Sequence, residues 1–199
     1  MSRSPLTAIA GVLSGAALVL TVAAAPASAA GLDGVFAIKN KTTGKCADLP
    51  GFGAGTQGGP VNQFTCRYPS GDNQAWRFVP KGTATGGSGT KYNRYLIRNT
   101  ADGRCLDAPG TGDNANGAKI VEYSCNPDPS KDNQLWYTVP KDVTYPDGTR
   151  RTGVWIVNEK SRKCLDVSGY RAGNDARLTL FSCTTSQKDD HLWAITSRP

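Results

Sequence analysis

The chain has 199 residues, 20% of them charged, and its 23 Lys and Arg against 16 Asp and Glu give a net charge of +7. The excess lies mostly in turns, as at 39–45 and at Arg150 and Arg151, whereas a nucleic-acid binder gathers its cations on one face or helix. Nucleic-acid binding is therefore not expected, and weak attraction to acidic surface polymers is the most that this charge implies.

Residues 1–29 include Arg3, run apolar from Leu6 to Ala25 and end on Ala27-Ser28-Ala29, a small-x-small cleavage pattern. They read as a secretory leader, because the run is Ala- and Gly-rich, barely long enough to span a bilayer and without a charged stop-transfer flank. Nothing after Ala30 is apolar for long enough to cross a membrane, so the expected product is a secreted protein with no stable membrane insertion. Its 170 residues, 30–199, suffice for one domain with a real core, and its charge is +6 because Arg3 leaves with the leader.

The remainder repeats itself. Gly44-Lys45-Cys46-Ala47-Asp48 recurs 59 residues later as Gly103-Arg104-Cys105-Leu106-Asp107, and 59 later again as Arg162-Lys163-Cys164-Leu165-Asp166. The same step carries Ile38 to Ile97 to Ile156 and Asn40 to Asn99 to Asn158. In the first unit, alternation predicts strands over 35–40, 45–49, 61–66 and 75–79, with a turn at 41–44 and a Gly-rich loop at 51–59. The order recurs in units spanning about 35–80, 94–140 and 153–197. Pro80 and Pro140 are expected to close the last strand of the first two units, ahead of longer connections that contain Gly86 to Gly89 and a hairpin tip at Tyr145-Pro146-Asp147-Gly148. No stretch keeps a helical period, so about twelve short strands in an antiparallel barrel or related closed all-β fold are expected.

Each unit holds two of the six cysteines. Export makes disulfides the expectation, and of the fifteen connectivities that six cysteines allow, threefold repetition favours Cys46 with Cys66, Cys105 with Cys125 and Cys164 with Cys183. Each bridge closes a loop of about twenty residues, which stabilises the fold by about 3 kcal/mol in the chain-entropy account. Zinc is not expected, since the pairs lack Cys-x-x-Cys spacing and His191 is the only histidine. No metal or other cofactor is implied.

A third marker follows the second cysteine of each unit: Asp72-Asn73-Gln74-Ala75-Trp76, Asp132-Asn133-Gln134-Leu135-Trp136 and Asp189-Asp190-His191-Leu192-Trp193. With Cys-x-Asp before it and an aromatic two residues ahead of the second cysteine, the pattern over 35–197 resembles the ricin B-type lectin family. The resemblance implies a β-trefoil of three repeats with about four strands each, and carbohydrate binding. A sugar offers hydroxyl pairs and an apolar C–H face, so its site needs a carboxylate, an amide and a flat ring. In the resembled family these roles fall, in the first repeat, on positions matched by Asp48, Asn62, Phe64 and Asn73. The second offers Asp107, Tyr123 and Asn133, with Val121 where an amide would help. The third keeps Asp166 and Phe181 but has Thr179, Asp190 in place of the Asn and His191 in place of the Gln. There an acceptor is expected to face an acceptor, so the third site is expected to be lost to sugar or to need water or a cation. The implied ligands are galactosides or polysaccharides, taken by a secreted monomer.

Trp76, Trp136 and Trp193 recur beside Leu or Ala and read as core. Gln74 and Gln134 read as structural amides that tie the turn so that Asn73 and Asn133 point outward. The three Asp could instead cap turns. Alternation sets Phe181 opposite Leu178 and Leu180 but leaves the facing of Phe64 and Tyr123 open, because Gln63 and Glu122 are polar. Catalysis is not expected: the Asp positions are three equivalents rather than one unequal pair, and His191 and the cysteines are already assigned. The competing reading is a protein-binding trefoil, such as a secreted hydrolase inhibitor, whose loops rather than Asp48 and Asp107 make the contact.

Overall fold

Alternating apolar residues between glycine-bearing turns build twelve strands. They are β1 (Gly34–Asn40), β2 (Cys46–Asp48), β3 (Asn62–Phe64), β4 (Trp76–Thr85), β5 (Lys91–Asn99), β6 (Cys105–Asp107), β7 (Val121–Tyr123), β8 (Leu135–Thr144), β9 (Arg150–Asn158), β10 (Cys164–Val167), β11 (Ala176–Phe181) and β12 (Trp193–Ser197). This computed structural model describes Met1 and residues 31–69, 71–145, 148–185 and 190–197, so the expected leader lies outside the described residues.

β1, β12, β9, β8, β5 and β4 pair antiparallel in that order, and β4 returns to β1, which closes a six-stranded barrel. The other six strands form the short hairpins β2–β3, β6–β7 and β10–β11. These are tied to one another by β3–β11 pairing and by the bridges Pro60–Val121 and Lys119–Thr179. One apolar core gathers Ile38, Ile97 and Ile156 with Trp76, Trp136 and Trp193, all at zero exposure. Each indole N–H donates to the carbonyl of the middle residue of a Cys-x-Asp: Ala47 at 3.1 Å, Leu106 at 2.9 Å and Leu165 at 2.9 Å. The Trp positions are core, as expected, and they also anchor the strands that carry the Asp residues.

The three bridges join Cys46 to Cys66, Cys105 to Cys125 and Cys164 to Cys183. The repeating Asn residues join one unit to the next. Asn99 Nδ2 donates to Asn73 O, Asn158 Nδ2 to Asn133 O and Asn40 Nδ2 to Asp190 O, at 2.7, 2.8 and 2.6 Å, while their Oδ1 atoms accept from the turn that follows. All three side chains are buried, so each satisfied amide avoids a penalty of about 1–3 kcal/mol.

The prolines do not close their strands. β4 runs through Pro80 to Thr85 and β8 through Pro140 to Thr144, and both continue pairing, with β5 and β9, as long hairpins. β4 pairs with β1 only as far as Phe78, so at Pro80 one edge of the strand is open and a missing donor is tolerated; the β4–β5 register also shifts between Pro80 and Thr83. Gly86 to Gly89 form the tip of the first hairpin, where Gly86 N donates to Thr90 O. Tyr145 N and Thr149 O close the tip expected at 145–148, whose Pro146 and Asp147 lie outside the described residues.

Candidate functional site

The short strands β2, β6 and β10 each end their Cys-x-Asp between a disulfide and the carbonyl that receives a Trp N–H, and this holds the three carboxylates at one structurally repeated place. Each is buried beside the marker residue of its unit. Gln74 Nε2 donates to Asp48 Oδ1 at 2.8 Å, Gln134 Nε2 donates to Asp107 Oδ2 at 3.1 Å, and His191 Nε2 lies 3.2 Å from Asp166 Oδ1. The glutamines also donate to Thr65 O and Ser124 O, and their Oε1 atoms accept from the backbone N–H of Arg67 and Asn126. In the third unit Thr184 N donates to His191 Nδ1 at 3.4 Å. His191 thus reproduces the acceptor of the Gln side chain, and its Nε2 stands where the Gln donor stands in the other units, at ion-pair distance from the carboxylate.

The carboxylates differ in what they leave over. Asp166 Oδ2 accepts from the Thr179 hydroxyl at 3.0 Å, while its Oδ1 lies at ion-pair distance from His191 Nε2. Asp107 Oδ1 is buried with no partner, and one oxygen of Asp48 takes no bond from a described residue. Burial pushes the Asp48 carboxyl up to about 6, against the pull of Gln74 and with help from Asp72 and Asp175. Burial likewise pushes Asp107 up to about 6, against Gln134 and with help from Asp132.

Beside each carboxylate lies an aromatic ring. Tyr123 and Phe181 are 44% and 41% exposed, while Phe64 is half-buried with the Arg67 guanidinium 4.7 Å over its ring. Phe64, Tyr123 and Phe181 thus line the clefts that also contain Asp48, Asp107 and Asp166 respectively, which decides the facing that alternation left open. Asn62 sits directly across β2–β3 from Asp48, where the other units have Val121 and Thr179.

Asn73 and Asn133 do not point outward. Both are buried, and their amides hold the loop that follows Cys-x-Asp: Asn73 Nδ2 donates to Gly51 O and Gly53 O and its Oδ1 accepts from Leu49 N, while Asn133 Nδ2 donates to Gly112 O and Asn114 Oδ1. A side chain that closes a loop of glycine-rich backbone has no donor left for a ligand. In the third unit the group beside Asp166 Oδ1 is His191 Nε2, at 3.2 Å.

The ricin-type β-trefoil lectin domain-like family matches residues 72–181, more than half of the chain. The chain belongs to that family. Its β-trefoil fold recurs in a designed threefold-symmetric protein, ThreeFoil, at 24% identity and a TM-score of 0.61 over 83% of this chain and 100% of that one. The C-terminal half of an earthworm R-type lectin, solved in complex with GalNAc, is 18% identical with a TM-score of 0.54 over 82% and 98%. An exo-β-1,3-galactanase from Clostridium thermocellum is 20% identical with a TM-score of 0.62 over 81% of this chain, which corresponds to 30% of the enzyme. No curated protein matches the chain.

Two side chains of this lectin-like trefoil escaped sequence reasoning. Phe52 and Tyr170, each 62% exposed, line the clefts of Asp48 and Asp166. They lie four residues after the Asp, and the 59-residue step that found the cysteines carries Phe52 to Thr111 to Tyr170. The signal was present, but two aromatics flanking one Thr do not look like a repeat.

Proposed function

We propose that the protein is a secreted, non-catalytic lectin that takes galactose-type glycans or polysaccharides through shallow sites at Asp48, Asp107 and Asp166. The observation that carries the reading is Asp107: its Oδ1 is buried without a partner beside the exposed Tyr123 ring, so a hydrogen-bond acceptor and a stacking face await a ligand that supplies a hydroxyl and a C–H surface. Asp48 offers the same acceptor with Phe64 and Phe52, and Asp166, with Oδ2 taken by Thr179 and Oδ1 beside His191, is the weakest of the three. Galactose-type ligands are the class favoured by the likeness to a lectin solved with GalNAc and to a galactanase. The chain acts as a monomer: residues 1–29 serve as the export leader and 30–199 as a trefoil of three four-stranded repeats. Three disulfides accord with an extracellular setting.

The test is a glycan and polysaccharide array probed with the oxidised protein and with an Asp48→Asn, Asp107→Asn double variant. Binding by the parent and not by the equally folded variant establishes the lectin and its ligand class. A folded parent that binds no glycan transfers the assignment to a protein partner, recognised through loops.

A further inference from the structure

A cleft of about 520 Å³ lies away from the three Asp sites, on the outer wall of the barrel where the β4–β5 tip meets β8 and β9. Its walls are Tyr92, Tyr137 and Trp155, and Lys141 and Arg162 stand beside them; no acidic side chain is among its lining residues. Tyr92 stacks on Tyr137 with centroids 5.6 Å apart, Lys141 Nζ lies 4.0 Å over the Trp155 ring, and the Arg162 guanidinium lies 5.9 Å from the Tyr137 ring. Neither cation forms an ion pair with a described residue.

The repeat shows that the fold does not require this arrangement. One unit earlier the matching place is a polar pocket lined by Arg77, Arg98 and Gly103. Arg77 pairs across the strands with Arg98 as Tyr137 pairs with Val157, and the 59-residue step carries Gly103 to Arg162. Two strand cations have thus become apolar wall, and a turn glycine has become a cation. The exchange at the turn carries strain. Gly44, Gly103 and Arg162 occupy one turn position, each N–H donating at 3.0 Å to the Asn four residues before it, with φ of 72°, 76° and 59°. That is left-handed backbone, which glycine adopts readily and arginine does not. A strained non-glycine points to a role for its side chain; Arg162 Nη1 donates to Thr85 O, which holds the guanidinium at the mouth of the cleft with its other N–H groups available.

We infer that this cleft binds an acidic glycan, with a uronic acid ring laid against the partly exposed Trp155 and Tyr92, backed by the buried Tyr137, and its carboxylate held by Lys141 and Arg162. The two sites have opposite chemistry: the Asp positions accept hydrogen bonds from hydroxyls, whereas the cleft supplies cations to an anion and flat faces to a pyranose. The choice of a sugar over other anions rests on the lectin reading; the cleft itself does not.

The cleft carries its own reporter. Trp155 is the one partly exposed Trp, the other three being fully buried, so a ligand there changes the accessibility of Trp fluorescence to iodide while a ligand at the Asp sites leaves it unchanged. The oxidised protein is titrated with an oligogalacturonate, a neutral galacto-oligosaccharide and polyglutamate. Oligogalacturonate is expected to protect Trp155, more weakly at high salt, and the affinity is expected to fall roughly tenfold or more in Arg162→Gly and in Lys141→Ala. Arg162→Gly restores the residue of the other two units, so an unchanged or higher Tm separates lost binding from lost folding. An Asp48→Asn, Asp107→Asn, Asp166→Asn variant is expected to bind oligogalacturonate like the parent, whether or not neutral galactosides bind the parent. Parent-like affinity in Arg162→Gly overturns the inference, as does loss of oligogalacturonate binding in the triple Asp variant. Equal protection by polyglutamate overturns it in favour of an acidic peptide.

Discussion

Asp48 and Asp107 combine a buried acceptor with a charge that their surroundings disfavour, and both consequences can be measured. Each carboxyl sits at about 6, well above the ordinary value of about 3.9. Between these values the folded protein holds protons that the unfolded chain has released, so the stabilisation is complete below about pH 4 and is lost as the pH rises through 6. Asp48→Asn keeps the acceptor for Gln74 and removes the charge, so its Tm near pH 7.5 is expected to equal or exceed that of the parent, and a Tm scan against pH checks this. At the proposed sites sugar affinity is expected to run the opposite way, because the ionised acceptor is the stronger one: titrations from about pH 7.5 to 5 should show binding decline through pH 6. At the third site the imidazole is tested by replacement. His191→Ala leaves the Thr184 N–H without its acceptor and removes the imidazole beside Asp166 Oδ1, at an expected cost of about 1–3 kcal/mol, whereas His191→Gln restores the arrangement of the other units and recovers the loss, as read from denaturant unfolding.

Among the elements, the 51–59 loop shows how one repeat leans on the next. Glu122 on β7 is buried against it, so closely that a Cβ on Gly55 would lie 1.7 Å from Glu122 Oε1. The equivalent Gln63 meets the corresponding loop with an amide, donating to Arg171 O and Gly173 O. Burial and the neighbouring Asp102 push the Glu122 carboxyl up to about 7, and Asp102 in turn pairs with Arg104 and accepts from Gly55 N. Its protonated form is thus the one the loop fits, and stability falls as the pH rises through 7. Glu122→Gln is expected to raise Tm near pH 8, with the gain shrinking toward pH 5. Much of this level was legible from the repeat: a 59-residue step and three markers located the cysteine pairs, the Trp core and the Asp positions, because threefold packing demands the same residue type at each. Three things were not. The long hairpins were hidden by Pro80 and Pro140, since a proline announces a lost donor but not that the edge beside it is open. The inward turn of Asn73 and Asn133 depends on loop carbonyls that come from 20 or more residues away. His191 looked like a lost glutamine, although its Nδ1 accepts a backbone N–H as the Gln Oε1 atoms do.

For the whole molecule the number of sites outweighs the strength of any one. The proposed sites, each with a single carboxylate and a shallow aromatic wall, are expected to bind a monosaccharide on the order of millimolar, too weakly to hold a cell surface alone. The barrel sets Asp48, Asp107 and Asp166 on one body, cross-linked by Asn40, Asn99 and Asn158 and by three disulfides, so a polymer that has engaged one site meets the next at high effective concentration. Affinity for a polysaccharide is then a product across sites, while affinity for a monosaccharide is a sum. Asp107→Asn alone is expected to change monosaccharide binding by a modest factor, because Asp48 still binds. The same substitution is expected to weaken retention on an immobilised galactan by on the order of 100-fold, since the remaining strong site has only Asp166 as its partner. Surface-binding kinetics on the polymer beside calorimetry with the monosaccharide separates these outcomes. An equal loss in both assays would mean that Asp107 acts alone and that the threefold arrangement serves the fold rather than the binding.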